Sequence, residues 1–97
     1  MGFHSSHGNI RWSYNNYTRF VRELHEVLAD HEVEELNVFD AHAHSENGYD
    51  YEKCSSLANL LAFCEKDTLS EDNRTRLEHL IFALREAHAA KEPLRFM

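Results

Sequence analysis

A short segment in the middle of the chain has the residue types and the spacing of a metal site. Asp40, His42 and His44 occupy every second position within the string VFDAHAHS at positions 38–45. Alternate side chains of an extended segment point to the same side, so these three can reach one ion. Imidazole and carboxylate groups are ligands for zinc and nickel. The spacing therefore supports the hypothesis of a Zn²⁺ or Ni²⁺ site at Asp40, His42 and His44, against the alternative of surface loop residues with no cofactor.

The same string resembles the opening of metal-dependent amidohydrolases, in which an apolar residue precedes Asp-x-His-x-His. The resemblance implies that His42 and His44 project from the end of a first barrel strand and hold a catalytic metal. A barrel of that kind takes about 250 residues, and its other ligands come from later strands. This chain has 97 residues. Its length argues against the fold of that family, and the metal hypothesis depends on the local spacing alone.

The other candidate catalytic and metal-ligating residues give weaker signals. Among the eight histidines, His4 and His7 would add a second pair if the N-terminal segment packs near the middle of the chain. Cys54 and Cys64 lie ten positions apart on the apolar side of a predicted helix, a distance that no disulfide spans. We expect both cysteines to behave as small buried hydrophobes, because no cationic group is placed to lower a thiol pKa. The sequence thus favours a protein without catalytic activity.

Charge is distributed unevenly along the chain. The stretch 23–52 contains ten Asp and Glu and no Lys or Arg, whereas residues 1–22 contain three Arg and no acid, and the net charge is −7. Non-specific nucleic-acid binding needs Lys and Arg to neutralise phosphates, so this composition argues against it. The acidic stretch is interpreted either as a solvated face or as a docking surface for a basic partner protein.

Two groups of residues are candidates for contact with a partner. The first is a set of carboxylates in the acidic stretch: Glu32, Glu34, Glu35, Asp40 and Glu46. The second is aromatic, Trp12 and Tyr14, beside Arg11 and Arg19. Aromatic residues anchor protein interfaces and stack on single-stranded nucleic acid, but at a helix entrance they more often belong to the core. We expect Trp12 to close one end of the helix bundle.

Three helices are predicted from apolar periodicity and capping residues. The first begins after Ser13, with Arg19 and Glu23 paired on its outer face. The second covers 50–66, with Phe63 in its buried arc. The third begins after Ser70 and ends near Lys91, before Pro93. Residues 30–47 fit neither period and are predicted to form a short helix or an irregular segment.

These elements predict a mainly α, single-domain protein of three helices over residues 1–97. The alternating segment 94–97 is expected to pair with residues 2–4 in a minimal two-stranded β element joining the two terminal segments. The polar N-terminal residues and the lack of a long apolar run predict a cytoplasmic protein with no membrane partner. A homodimer remains an option, because three short helices can leave an apolar stripe uncovered.

The functional prediction is a small acidic interaction or regulatory protein, or inhibitor, that docks on a basic partner. The alternative is a metal-binding module that uses Asp40, His42 and His44. A nucleic-acid binder that uses Arg11, Trp12, Tyr14 and Arg19 is the least favoured class, because of the net charge of −7.

Overall fold

The computed structural model describes residues 2–8, 10–27, 48–63 and 69–96. Along this part of the chain lie the strands β1 (Gly2–His4) and β2 (Arg11–Ser13), followed by the helices α1 (Tyr14–Val27), α2 (Tyr51–Ala62) and α3 (Glu71–Ala90). The prediction of a mainly α protein with three helices is confirmed for the described residues. The segment 30–47, predicted to be irregular or a short helix, lies outside them.

The N-terminus of α1 is formed as its sequence predicts. Ser13 accepts a hydrogen bond at its hydroxyl from the backbone N–H of Asn16, at 3.2 Å. This bond satisfies one of the donors that the first helical turn leaves without a partner. Tyr17, Phe20 and Leu24 follow at intervals of three and four residues and are buried, so one side of α1 faces the core.

Helix α2 is shorter than predicted. Asp50 caps its N-terminus by accepting from the backbone N–H of Glu52, at 3.1 Å. The helix ends at Ala62, and Phe63 is its C-cap, whose N–H donates to the carbonyl of Leu60. The prediction that Phe63 belongs to the buried arc is wrong, because the side chain of this C-cap residue is 87% exposed.

Helix α3 has both predicted ends. Ser70 caps the N-terminus and accepts from the backbone N–H of Asn73, at 3.4 Å. Lys91 ends the helix in the left-handed conformation with φ 56°, and its N–H donates to the carbonyl of His88. The buried stripe of α3 comprises Leu77, Leu80, Ile81, Ala83, Leu84 and Ala87. Helix α3 packs most extensively against α2.

The strands pair differently from the prediction. Residues 2–4 form an antiparallel ladder with residues 11–13, in which Phe3 lies opposite Trp12. The C-terminal segment contacts the N-terminal segment just after β1, through an isolated bridge between Ser5 and Phe96. A second bridge joins Leu94 to Tyr49, with N–H to carbonyl bonds of 2.8 and 2.9 Å. The C-terminal segment therefore bonds to two separate parts of the chain, and β1 pairs with its neighbour in sequence.

The loop between the two strands is held against α3. Gly8 has φ +77° and lies so close to Ala83 that a Cβ at this position would approach the Ala83 Cβ to 2.6 Å. Its backbone N–H donates to the Glu86 carboxylate at 3.0 Å. The His7 ring lies 3.2 Å from the Glu92 carboxylate, measured from Nε2 to Oε1. A glycine is required here both by the positive φ and by the contact with the helix backbone.

Within the described residues, none of the helices combines the length and the apolar character needed to cross a membrane.

Candidate functional site

Four carboxylates of the acidic stretch fall within the described residues. Glu26, Asp50 and Glu52 are exposed. Among the described residues, none of the four forms an ion pair with a Lys or Arg within 4.0 Å. Asp50 is engaged locally as the cap of α2, and Glu23 bonds to the start of α3. Among the described residues these carboxylates therefore form no direct ion pair with a cation, although Glu23 and Glu26 share a surface pocket with Arg19 and Arg22.

Glu23 joins α1 to the N-terminus of α3. Its carboxylate accepts from the backbone N–H of Ser70 at 2.5 Å and from the side-chain amide of Asn73. The pKa of Glu23 is lowered, first by the Ser70 N–H bond and also by the Asn73 and Ser70 side chains and the charge of Arg19, against an opposing effect of burial. The predicted ion pair does not close to within 4.0 Å: the Glu23 carboxylate bonds to donors at the α3 N-terminus, and Arg19 acts on it only through its charge.

The other predicted partner-contact residues are placed as follows. Trp12 lies in the core, and Tyr14 begins α1 with a side chain that is not described. Arg11 and Arg19 are exposed. The five predicted carboxylates lie outside the described residues: Glu32, Glu34, Glu35, Asp40 and Glu46.

Trp12 is the centre of an aromatic cluster. Its ring is 8% exposed and meets Phe20 edge-on, with the ring centroids 5.2 Å apart. Tyr17 and Phe96 complete the cluster, each with its ring centroid 6.3 Å from that of Trp12. Aromatic pairs at such distances add to the energy of burial. The indole therefore binds α1 and the C-terminal segment together and presents little area to a partner.

The predicted metal ligands Asp40, His42 and His44 lie outside the described residues. Among the residues that are described, no three His, Cys, Asp or Glu side chains form a group able to hold a metal ion. His7, one of the second histidine pair, is placed beside Glu92, whereas His4 is exposed on β1. The metal hypothesis remains a prediction from sequence.

Cys54 is a buried thiol, as predicted, and is 0% exposed. Burial raises the pKa of Cys54 to about 11, with a smaller opposing contribution from a backbone bond to Leu94. A thiol at this pKa is protonated near neutral pH and is a poor nucleophile. Its surroundings therefore suit packing and not covalent chemistry. Cys64 lies outside the described residues.

Two large apolar side chains are exposed in the described part of the chain, Phe63 (87%) and Phe82 (49%). Phe82 lies in an open groove of about 530 Å³ between the end of α2 and the outer side of α3. Its apolar lining also includes Ala62, Ile81 and Ala89. The sequence pattern does not indicate this groove, although Phe82 follows Ile81, which belongs to the buried stripe of α3.

No family model, curated protein or solved structure matches this chain. Its function is therefore inferred from its own residues and their geometry.

Proposed function

We propose that this chain is a small acidic interaction protein, a regulator or inhibitor without catalytic activity, that docks on the basic surface of a partner protein. The observation that supports this proposal is that carboxylates of the acidic stretch are exposed and unpaired with cations in the described part of the chain. Glu26 and Glu52 are exposed and have no Lys or Arg partner among the described residues. Neither carboxylate is held in an ion pair with those residues, so both can contact a basic surface.

The distribution of charge favours a protein partner over nucleic acid. The net charge of −7 repels phosphates, whereas a surface rich in Lys and Arg is attracted at long range. On α1, the exposed Arg19 and Arg22 share a surface pocket with Glu23 and Glu26. These carboxylates offset the local positive charge that a nucleic-acid site on α1 would need.

The test is affinity capture from the native host with the whole chain, followed by mass spectrometry at low and high salt. The bait is compared with a variant that carries Glu32→Gln, Glu34→Gln and Glu35→Gln. A matched control removes the same number of charges elsewhere, with Glu65→Gln, Asp67→Asn and Glu71→Gln. We expect a basic protein to bind the unaltered chain and the control, and to be lost from the 32/34/35 variant.

Binding should also weaken as salt rises from about 0.1 M to about 0.5 M, because screening shortens the reach of exposed charges. Equal capture by the two triple variants would contradict the role of the acidic stretch. Capture of only acidic or uncharged proteins would contradict the proposed partner chemistry.

A further inference from the structure

The exposed groove on α3 has a definite chemical pattern. Glu78, Phe82 and Glu86 are spaced four residues apart, so they follow one side of the helix, with a carboxylate one turn before and one turn after the phenyl ring. The groove runs from Glu78 to Ala89, which corresponds to about 16 Å along the helix axis. This length is about three helical turns, which suits a short helix lying alongside.

The apolar part of the groove is left open by the packing of α3. The buried stripe of this helix faces α2 and the rest of the core, with Ala83 and Leu84 at 0% exposure, while Phe82 is about half exposed. A half-exposed phenyl ring costs free energy in water, and covering it with an apolar side chain of a partner would recover part of that cost. Ala62 and Ala89 add small apolar side chains that leave room for an incoming one.

The charges at the rim identify the chemistry of the occupant. Two carboxylates, Glu78 and Glu86, stand against one cation, Arg85. Glu78 forms no hydrogen bond or ion pair with the other described residues, while Glu86 bonds to the Gly8 N–H. A second copy of this chain would bring a further charge of −7 to an acidic rim, so self-association is opposed.

We propose that this groove binds a short amphipathic helix of the partner, with a large apolar side chain inserted beside Phe82 and Lys or Arg residues facing Glu78 and Glu86. Apolar insertion supplies the affinity, and the rim carboxylates select a basic sequence. This inference rests on the proposed function, because it assumes a basic partner. It adds a specific apolar anchor to a surface otherwise defined by charge.

The probe is a fluorescent peptide of about 15 residues, with Leu on one helical face and Lys on the other. A peptide of the same composition in scrambled order serves as the control for attraction by charge alone. We expect the amphipathic peptide to bind the unaltered chain at least about tenfold more tightly than the scrambled one. In ¹H–¹⁵N spectra, the amide signals of Glu78, Phe82 and Ala89 should shift on binding.

Two serine variants distinguish binding in the groove from non-specific apolar binding elsewhere on the surface. Phe82→Ser should weaken binding of the amphipathic peptide by about tenfold or more, because it removes the apolar contact. Phe63→Ser changes a more exposed phenylalanine that does not line the groove and should leave binding unchanged. Thermal unfolding of each variant checks the fold, and the amide shifts test the site without any variant.

Equal affinity for the two peptides, or amide shifts confined to residues away from the groove, would overturn the proposal. A dimer in sedimentation experiments that Phe82→Ser abolishes would also overturn it and would assign the groove to a second copy. The peptide arm is independent of the proposed function. The 32/34/35 variant could capture every partner normally while peptide binding still requires Phe82. That result would contradict docking through the acidic stretch and would still support helix binding in the groove.

Discussion

The carboxylate of Glu23 in α1 accepts a hydrogen bond from the backbone N–H of Ser70, the residue that caps α3. The Ser70 hydroxyl in turn accepts a hydrogen bond from the backbone N–H of Asn73. Ser70 therefore bonds both to α1 and to the first turn of its own helix. This contact joins two helices that are 47 positions apart at these residues. It holds α1, whose C-terminal end begins the acidic stretch, against α3, which carries the groove.

We expect Glu23→Ala to destabilise the protein by about 1 kcal/mol near neutral pH, since the Ser70 and Asn73 donors lose a charged acceptor. Glu26→Ala, at an exposed residue without such bonds, should change stability by less than about 0.5 kcal/mol. Urea unfolding of both variants measures the difference. Equal effects from the two substitutions would contradict the bonding role of Glu23.

The Glu23 bond should also make stability depend on acid. The pKa of Glu23 is lowered in the folded protein from 4.5, so the stabilisation is fully present above that value. It should be lost as the pH falls through the lower folded-state pKa. The stability gap between the unaltered chain and Glu23→Gln should therefore narrow below pH 4.5 in urea unfolding. A gap that is constant or widens in acid would be inconsistent with this assignment.

Gly8→Ala should destabilise the protein by about 2 kcal/mol or more, because an alanine would adopt an unfavourable φ and its Cβ would collide with α3. The φ is +77°, and the nearest atom would be the Ala83 Cβ. Ala83→Gly removes that atom, so the double variant should lose less stability than the sum of the two single changes. Strict additivity in urea unfolding would show that the Ala83 Cβ is not the atom responsible for the loss of stability.

Cys54 should resist alkylation in the folded protein. A Cys64→Ser background leaves it as the single thiol, and iodoacetamide near pH 8 should modify it far more slowly than in the urea-unfolded chain, because the thiol is buried and its pKa is raised to about 11. Mass spectrometry follows the reaction. Similar rates in the folded and unfolded chains would contradict the buried environment.

The metal hypothesis and the proposed function predict different metal contents. A site at Asp40, His42 and His44 requires about one Zn²⁺ or Ni²⁺ per chain that is lost in His42→Ala. An interaction protein without a cofactor is expected to contain no stoichiometric metal. Elemental analysis of protein purified without a metal column decides between them.

The helices could be predicted from sequence because their determinants are local. Ser13 and Ser70 are capping residues directly before apolar stripes, and Lys91 ends α3 two positions before Pro93. The sequence places the end of α2 near residue 66, whereas the helix ends at Ala62. Leu57, Leu61 and Phe63 continue an apolar pattern whether or not the helix continues. Exposure of Phe63 depends on where the neighbouring helix lies, and periodicity does not encode that position.

Contacts between distant parts of the chain could not be predicted in the same way. Residues 2–4 and 94–97 both fit an extended pattern, but β1 pairs with β2, across a short loop whose closure costs less entropy than bringing the two ends together. The hydrogen bond between the Ser70 N–H and the Glu23 carboxylate likewise depends on how α1 and α3 pack together. The groove beside Phe82 arises from the end of one helix and the side of another, so no single segment reveals it.

The most direct test of the central claim is titration calorimetry of the captured partner, once purified, against the unaltered chain and the 32/34/35 variant across a salt series. We expect the unaltered chain to lose at least about tenfold in affinity as salt rises. The variant should bind more weakly and show a smaller salt dependence. An affinity that is independent of salt and equal for the two chains would contradict docking through the acidic stretch.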